Sequence, residues 1–168
     1  MKLHSVVFDA STLILLAKTD LLQIMAREVN ILISPVVQAE ALARPDLYDA
    51  QVIARMMKEG EIQVLAAGSA DEIAEIQRQF NLAEGEASAL WAAKKEQHTL
   101  AIDDGPGIRA AKVFGVPFVT ALQVLVGLST AGILDKPSAL AKLEALVKWG
   151  RYGAQLVGDA RQRIQEGR

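Results

Sequence analysis

The stretch "LAIDDGPGIRAAKVFGVPFV", residues 100–119, carries the fold in miniature. "TLAID" (99–103) reads as a short buried strand, an apolar run closed by acids. "GPGIRAAKVFG" (105–115) reads as a short helix. Pro106 suits a first turn, Asp104 or Gly105 can cap it, and Gly115 stops it. "VPFVT" (116–120) reads as the next strand. Strand, helix and strand in succession predict a largely parallel sheet covered by helices. The stretch also poses a chemical question. Asp103 and Asp104 are adjacent carboxylates, which repel. A helix cap, a solvated turn and half of a cation site are the three explanations for them.

The same alternation extends outward in both directions. "HSVVFD" (4–9) is a strand, followed by helical "STLILLAK" and a second short helix, "DLLQIMAREV" (20–29), opened by Asp20. "NILIS" (30–34) is the next strand. Ser34 and Pro35 then cap and open a helix reaching about Ala43. A further helix runs from about Asp46 to Glu59, with Gly60 as its stop. "EIQVLAA" (61–67) alternates polar and apolar residues, as an edge strand does. "SADEIAEIQRQF" (69–80) and "LAEGEASALWAAKKEQ" (82–97) are helices. Beyond the central stretch come "ALQVLVGLSTAG" (121–132), "KPSALAKLEALVKWG" (136–150) and "AQLVGDARQRIQ" (154–165), all helical. The expected organisation is a core over residues 1–135, with a C-terminal helical extension, 136–168, packed on the same domain.

Composition narrows the function classes. At 168 residues and 51% hydrophobic, the chain can bury a real core and is not generally disordered. Its longest apolar runs, "LILLA" and "LQVLVGL", fall far short of the ~20 residues a membrane span needs. The opening "MKLHSVVFDAS" lacks a signal peptide's apolar region, because Asp9 interrupts it. The chain has no cysteine, so it has no disulfide, zinc-thiolate site or thiol nucleophile. These features predict a cytoplasmic protein with no membrane partner. The net charge of -2 exerts no global pull on nucleic acid. Residues 137–168 nevertheless carry six basic and three acidic side chains. Either a solvated helix face or a local polyanion contact accounts for that excess. Trp149 and Tyr152, beside Lys148 and Arg151, are able to stack on bases, with helix packing or a protein contact as the competing explanation.

Several acids converge on one edge of the predicted sheet. Ligands of such sheets bind beyond the carboxyl ends of the strands, near a reversal of strand order. Asp9 ends the first strand, and Asp103 and Asp104 end a later one. Glu40 lies about one turn into the helix that leaves the second strand, and Glu86 lies in the first turn of the 82–97 helix. Each has a duller explanation. Asp9 could cap its helix, although Ser11 is the better cap candidate. Glu40 could be a surface residue, and Glu84 and Glu86 could favour the positive end of a helix dipole. Two carboxylates 4 Å apart repel by roughly 4 kcal/mol at an effective dielectric near 20. A cluster must therefore protonate, disperse or bind cations. Oxygen ligands without cysteine or a placed histidine point to Mg²⁺ or Mn²⁺. Such ions activate water and neutralise phosphate in phosphodiester hydrolysis.

Other acid-bearing α/β patterns fit poorly. A haloacid-dehalogenase phosphatase needs a second aspartate where Ser11 stands. A response-regulator receiver needs an acidic pair at the first strand and a lysine after the last, which "VPFVTAL" does not supply. A dinucleotide fold needs Gly-x-Gly-x-x-Gly after the first strand, where "DASTLI" has no glycine. His4 and His98 fall away from the acidic edge.

The order of the segments resembles the PIN-domain ribonucleases, and most closely the small prokaryotic PIN-like proteins of the DUF3368 kind, which include toxins of toxin-antitoxin pairs. The resemblance runs through "VVFDASTLILLAKTDLL", "ILISPVVQAEAL", "LAEGEASALWAA" and "LAIDDGPGIRAAKVFGVPFVTALQVLVGL" to the tail "LEALVKWGRYGAQLVGDARQRI", nearly the whole chain. It implies a three-layer α/β/α fold around a central, mostly parallel sheet of about 4–5 strands. It implies a metal-dependent endoribonuclease, with Asp9, Glu40, Glu86 and Asp104 as the acidic site, Asp103 a further ligand, and Mg²⁺ or Mn²⁺ as cofactor. Ser11 matches a small hydroxyl that orients Asp9 or water. Arg109 matches a recurrent arginine that pairs with a carboxylate or touches phosphate. RNA is the implied substrate, and a small antitoxin protein the implied partner. The alternative is a PIN-like domain kept for protein or nucleic-acid binding with little catalysis. Large side chains in "LLQIM" and "VIARMM" point to a homodimer or partner surface. The chain departs from the toxin pattern in having Ile102-Asp103-Asp104 at the last acidic strand and no basic residues in "GPGI".

Overall fold

Five short strands build the centre of the protein: β1 (Ser5–Phe8), β2 (Asn30–Ile33), β3 (Ile62–Val64), β4 (Thr99–Ala101) and β5 (Phe118–Val119). The computed structural model describes residues 4–168. The strands lie in the order β3-β2-β1-β4-β5, and every pairing is parallel. The chain therefore builds outward from β1 through β2 to β3, crosses back, and adds β4 and β5 on the other side. In the register, Val7 faces Leu32 on one side and Leu100 on the other. Strands covered on both faces must be apolar throughout, as "VVF" and "ILI" are. The carboxyl ends of β1 and β4 meet where the strand order reverses, which is where such sheets form a crevice.

Ten helices flank the sheet among the described residues: α1 (Ala10–Lys18), α2 (Leu21–Met25), α3 (Pro35–Ala41), α4 (Tyr48–Lys58), α5 (Ala70–Phe80), α6 (Glu84–Glu96), α7 (Gly105–Val113), α8 (Ala121–Thr130), α9 (Lys136–Trp149) and α10 (Ala154–Glu166). The result is the expected three-layer α/β/α arrangement, with an all-parallel sheet. Helix α6 packs on β1 and β4 and against α3, so its first turn lies near the sheet edge. None of the helices is long and apolar enough to cross a membrane.

Local chemistry sets the boundaries and corrects several expectations. Asp9 itself caps α1, its carboxylate accepting from the Thr12 amide, in place of Ser11. A cap accepts from the residue three positions on, and for this helix start that geometry selects Asp9. Asp20 does not cap α2. Its backbone is left-handed, at φ 57°, and its carboxylate accepts from Tyr48 and pairs with Lys142. Helix α2 stops at Met25 rather than Val29, because the next residues turn back toward β2. "LLQIM" and "VIARMM" are not an outer surface. Leu21, Leu22, Met25, Val52, Ile53 and Met56 are buried, and Ile24 and Met57 are half-buried against the core. A sheet covered on both faces consumes more apolar side chains than a one-sided one, and this accounts for the composition.

Helices α9 and α10 pack on each other and on α8. Leu143, Leu146, Ala160 and Ile164 join the same hydrophobic core as the sheet. Leu143→Ala is therefore expected to lower global stability by about 2–5 kcal/mol while keeping one unfolding transition. Chemical denaturation followed by both far-UV dichroism and tryptophan fluorescence checks this. Two separated transitions would mark residues 136–168 as an independent unit.

Candidate functional site

Asp9 lies just past β1, and its amide donates to the Ala101 carbonyl of β4 at 3.1 Å, extending the ladder by one bond. Its side chain is fully buried. Oδ1 accepts from the Thr12 amide at 2.8 Å, whereas Oδ2 has no hydrogen-bond partner. An unsatisfied buried carboxylate oxygen is expensive, so its position at the strand-order reversal is informative. Burial pushes the Asp9 carboxyl up to about 7; hydrogen bonds from Thr12 oppose the rise, and the charges of Asp103 and Glu86 add to it.

Thr12 is the residue that sequence reading missed. Its hydroxyl donates to Asp103 Oδ2 at 3.0 Å while its amide holds Asp9. The hydrogen bond expected from Ser11 thus comes from Thr12, three residues after the aspartate. Ser11 is exposed and lines the cleft instead.

The two adjacent aspartates have separate duties. Asp103 accepts from Thr12, from the Ala121 amide at 3.2 Å, and from the Tyr152 hydroxyl at 3.1 Å. Burial raises its carboxyl, and these donors pull it back. Burial and the Asp103 charge together hold Tyr152 well above the usual phenol range, so it remains a donor. Asp104 is exposed and caps α7, accepting from the Gly107 amide at 3.3 Å.

Glu86 connects the remaining acids. Its Oε2 accepts from the Ala83 amide at 3.0 Å, closing the first turn of α6. Burial raises its carboxyl, and the charges of Asp104 and Glu40 raise it further. Glu40 reaches the same edge from α3. Ser34, the cap of α3, shares a 2.7 Å hydrogen bond with Ser88 of α6, and Ser88 donates to the Gly85 carbonyl at 2.9 Å. This buried link ties the two helix starts together. A Cβ on Gly85 would sit 2.5 Å from Glu40 Oε2, so only glycine leaves room for that carboxylate. Burial raises Glu40, the Gly85 amide opposes the rise, and Glu84 adds to it. Arg109, the expected pairing arginine, makes no ion pair among the described residues, although its guanidinium lies close to Gly105.

A cleft of about 450 Å³ opens along this edge, lined by Ser11, Glu86, Asp103, Asp104, Trp149 and Arg151 among others. Among the described residues no three acidic or imidazole side chains close into a finished ion cage. The acids still act on one another: Asp103 and Glu86 raise Asp9, and Asp104 and Glu40 raise Glu86.

The DUF3368 family model, described as a PIN domain, matches residues 5–166. The chain belongs to this PIN-domain family. PIN domains are generally nucleases, and the match covers all five strands and all ten helices. The PIN domain is also similar in structure to PAE2754 from Pyrobaculum aerophilum. The TM-score is 0.54 and the identity 24%, over 77% of this chain and 98% of the other. At that identity the likeness bears on the fold. No curated protein matches the sequence.

The raised Asp9 carboxyl links the site to stability. Its contribution is present in full below about pH 4 and is lost as pH rises through about 7, where burial must accept a charge. In metal-free buffer, Asp9→Asn keeps the cap, because asparagine caps as well as aspartate. The variant is expected to be more stable than the wild type at pH 8, by up to about 4 kcal/mol, and equal to it near pH 4. Urea melts in EDTA across that range measure the difference. A destabilised variant at pH 8 would show that the charged carboxylate is already satisfied in the fold.

Proposed function

We propose that this PIN domain is a Mg²⁺- or Mn²⁺-dependent endoribonuclease. The buried, unpartnered Oδ2 of Asp9, set among further carboxylates at the strand-order reversal, carries this reading. The donor set fits a hard divalent cation. It is all oxygen and contributed by separate elements, and none of the cleft-lining residues is a histidine. Asp9, Glu86 and Asp104 would hold the ion, with Glu40 reaching the same edge beside Gly85. Asp103 is the weakest of the expected ligands, since protein donors already occupy both of its oxygens. Bound there, Mg²⁺ or Mn²⁺ supplies charge neutralisation for a phosphate and acidifies an attacking water.

The chain's own groups do the rest. Thr12 fixes the Asp9 rotamer and keeps Oδ2 as the free oxygen. The Ser34–Ser88 link positions Glu40 against α6. Ser11 lines the cleft and can orient water or phosphate, and Arg109 lies near the Asp104 turn with its charge uncommitted. A small antitoxin protein would act by covering the same edge. The free buried carboxylate oxygen favours a cation at this edge, and RNA cleavage is what separates catalysis from binding alone.

Purified protein is expected to cleave single-stranded RNA with Mn²⁺ and to stop in EDTA. Asp9→Asn should lower the rate roughly 100-fold or more, and Mn²⁺ should raise the melting temperature of the wild type but not of this variant. Cleavage that survives both EDTA and the substitution would sink the proposal, as would a metal-insensitive melting curve. Gly85→Ala offers a finer check. The added methyl displaces only the mobile end of Glu40, so stability should stay within about 1 kcal/mol while cleavage falls between about tenfold and 100-fold.

A further inference from the structure

Beside its acids, the cleft is lined by aromatic and cationic groups that the carboxylate site does not use. Trp149, the last residue of α9, is 54% exposed. A large ring left half in water at a cleft is a surface for contact with a ligand. The ring borders the same cleft as Glu86, Asp103 and Asp104. Lys18 Nζ lies 4.9 Å and Lys148 Nζ 5.1 Å from its centroid. Arg151 lines the cleft beside it and is exposed.

The segment is anchored rather than loose. Tyr152 donates to Asp103, tying residues 149–152 to the carboxyl end of β4. Gly150 lets the Tyr152 ring close on the backbone, since a Cβ there would sit 2.4 Å from Tyr152 Cε2 and 2.9 Å from the Leu146 carbonyl. With Gly150 and Tyr152 fixed, Trp149 and Arg151 are held at the cleft.

Lys18 and Lys148 lie over the indole, and Arg151 lines the same cleft. A ligand with flat apolar faces and repeated negative charge suits this set, because its anionic groups can draw a lysine off the ring as a flat face takes its place. Single-stranded nucleic acid has both, whereas a duplex hides its base faces in its own stack. A basic protein segment drawn to the carboxylates would meet three like charges here. We infer that Trp149 is a base-stacking platform that selects single-stranded RNA, with Lys18, Lys148 and Arg151 holding phosphates as the strand runs toward the acidic edge. The inference rests on the ribonuclease reading for the identity of the strand, but the platform has its own readout.

The experiment titrates a fluorescein-labelled single-stranded RNA of about 12 nucleotides with full-length protein carrying Asp104→Asn, which suppresses turnover. Adding Trp149→Ala should weaken binding about tenfold. Trp149→Phe should recover most of the loss, and the RNA duplex of the same length should bind at least about tenfold more weakly than the single strand. Equal affinity with and without the Trp149 ring would overturn the platform, and so would duplex binding as tight as the single strand. A wild-type cleavage assay separates the two readings. Absent cleavage with a Trp149-dependent affinity leaves the platform standing and removes the nuclease. Normal cleavage with an unchanged KM in Trp149→Ala does the reverse.

Discussion

Thr12 donates to two carboxylates that leave neighbouring strands, its amide to Asp9 and its hydroxyl to Asp103. The rest of the edge depends on this bridge. It holds the start of α1 across the place where the sheet changes direction. It also leaves one Asp9 oxygen unsatisfied and gives Asp103 a fixed donor. Like charges would otherwise push the strand ends apart. The fold accepts a buried acid here because the donors around it are fixed in place.

Two further contacts extend that frame. The buried Ser34–Ser88 pair locks α3 to α6, so Glu40 arrives beside Gly85 without a loop to carry it. Tyr152 reaches Asp103 from the opposite end of the chain and draws the stretch between α9 and α10 to the same crevice. The end of α9 and the stretch after it therefore line the cleft, while both final helices supply part of the core. Asp103, an expected ligand, is also the post to which three segments are tied.

Much of this was legible in the sequence, and what was missed has physical reasons. Short apolar runs ending in acids gave the strands, because burial on both faces leaves no room for polar alternation. Asp9, Glu86 and Asp104 stood out because each sits at a strand end or in a helix's first turn. Thr12 did not, because the bond that matters spans from residue 12 to residue 103 and depends on two strands becoming neighbours. Tyr152 was hidden for the same reason, its partner lying in a different part of the chain. "LLQIM" was misjudged because apolar excess does not reveal on which side of a helix layer it will fall. Asp103 and Asp104 look alike on paper and differ only in what surrounds them.

Glu86 is parked on its own helix. Its Oε2 accepts from the Ala83 amide, which closes the first turn of α6, and Oε1 takes no part in that bond. The residue lines the cleft from this capped position. One side chain thus finishes a helix and borders a cavity at once, so its aim is set by the backbone of its own first turn and not by a loop.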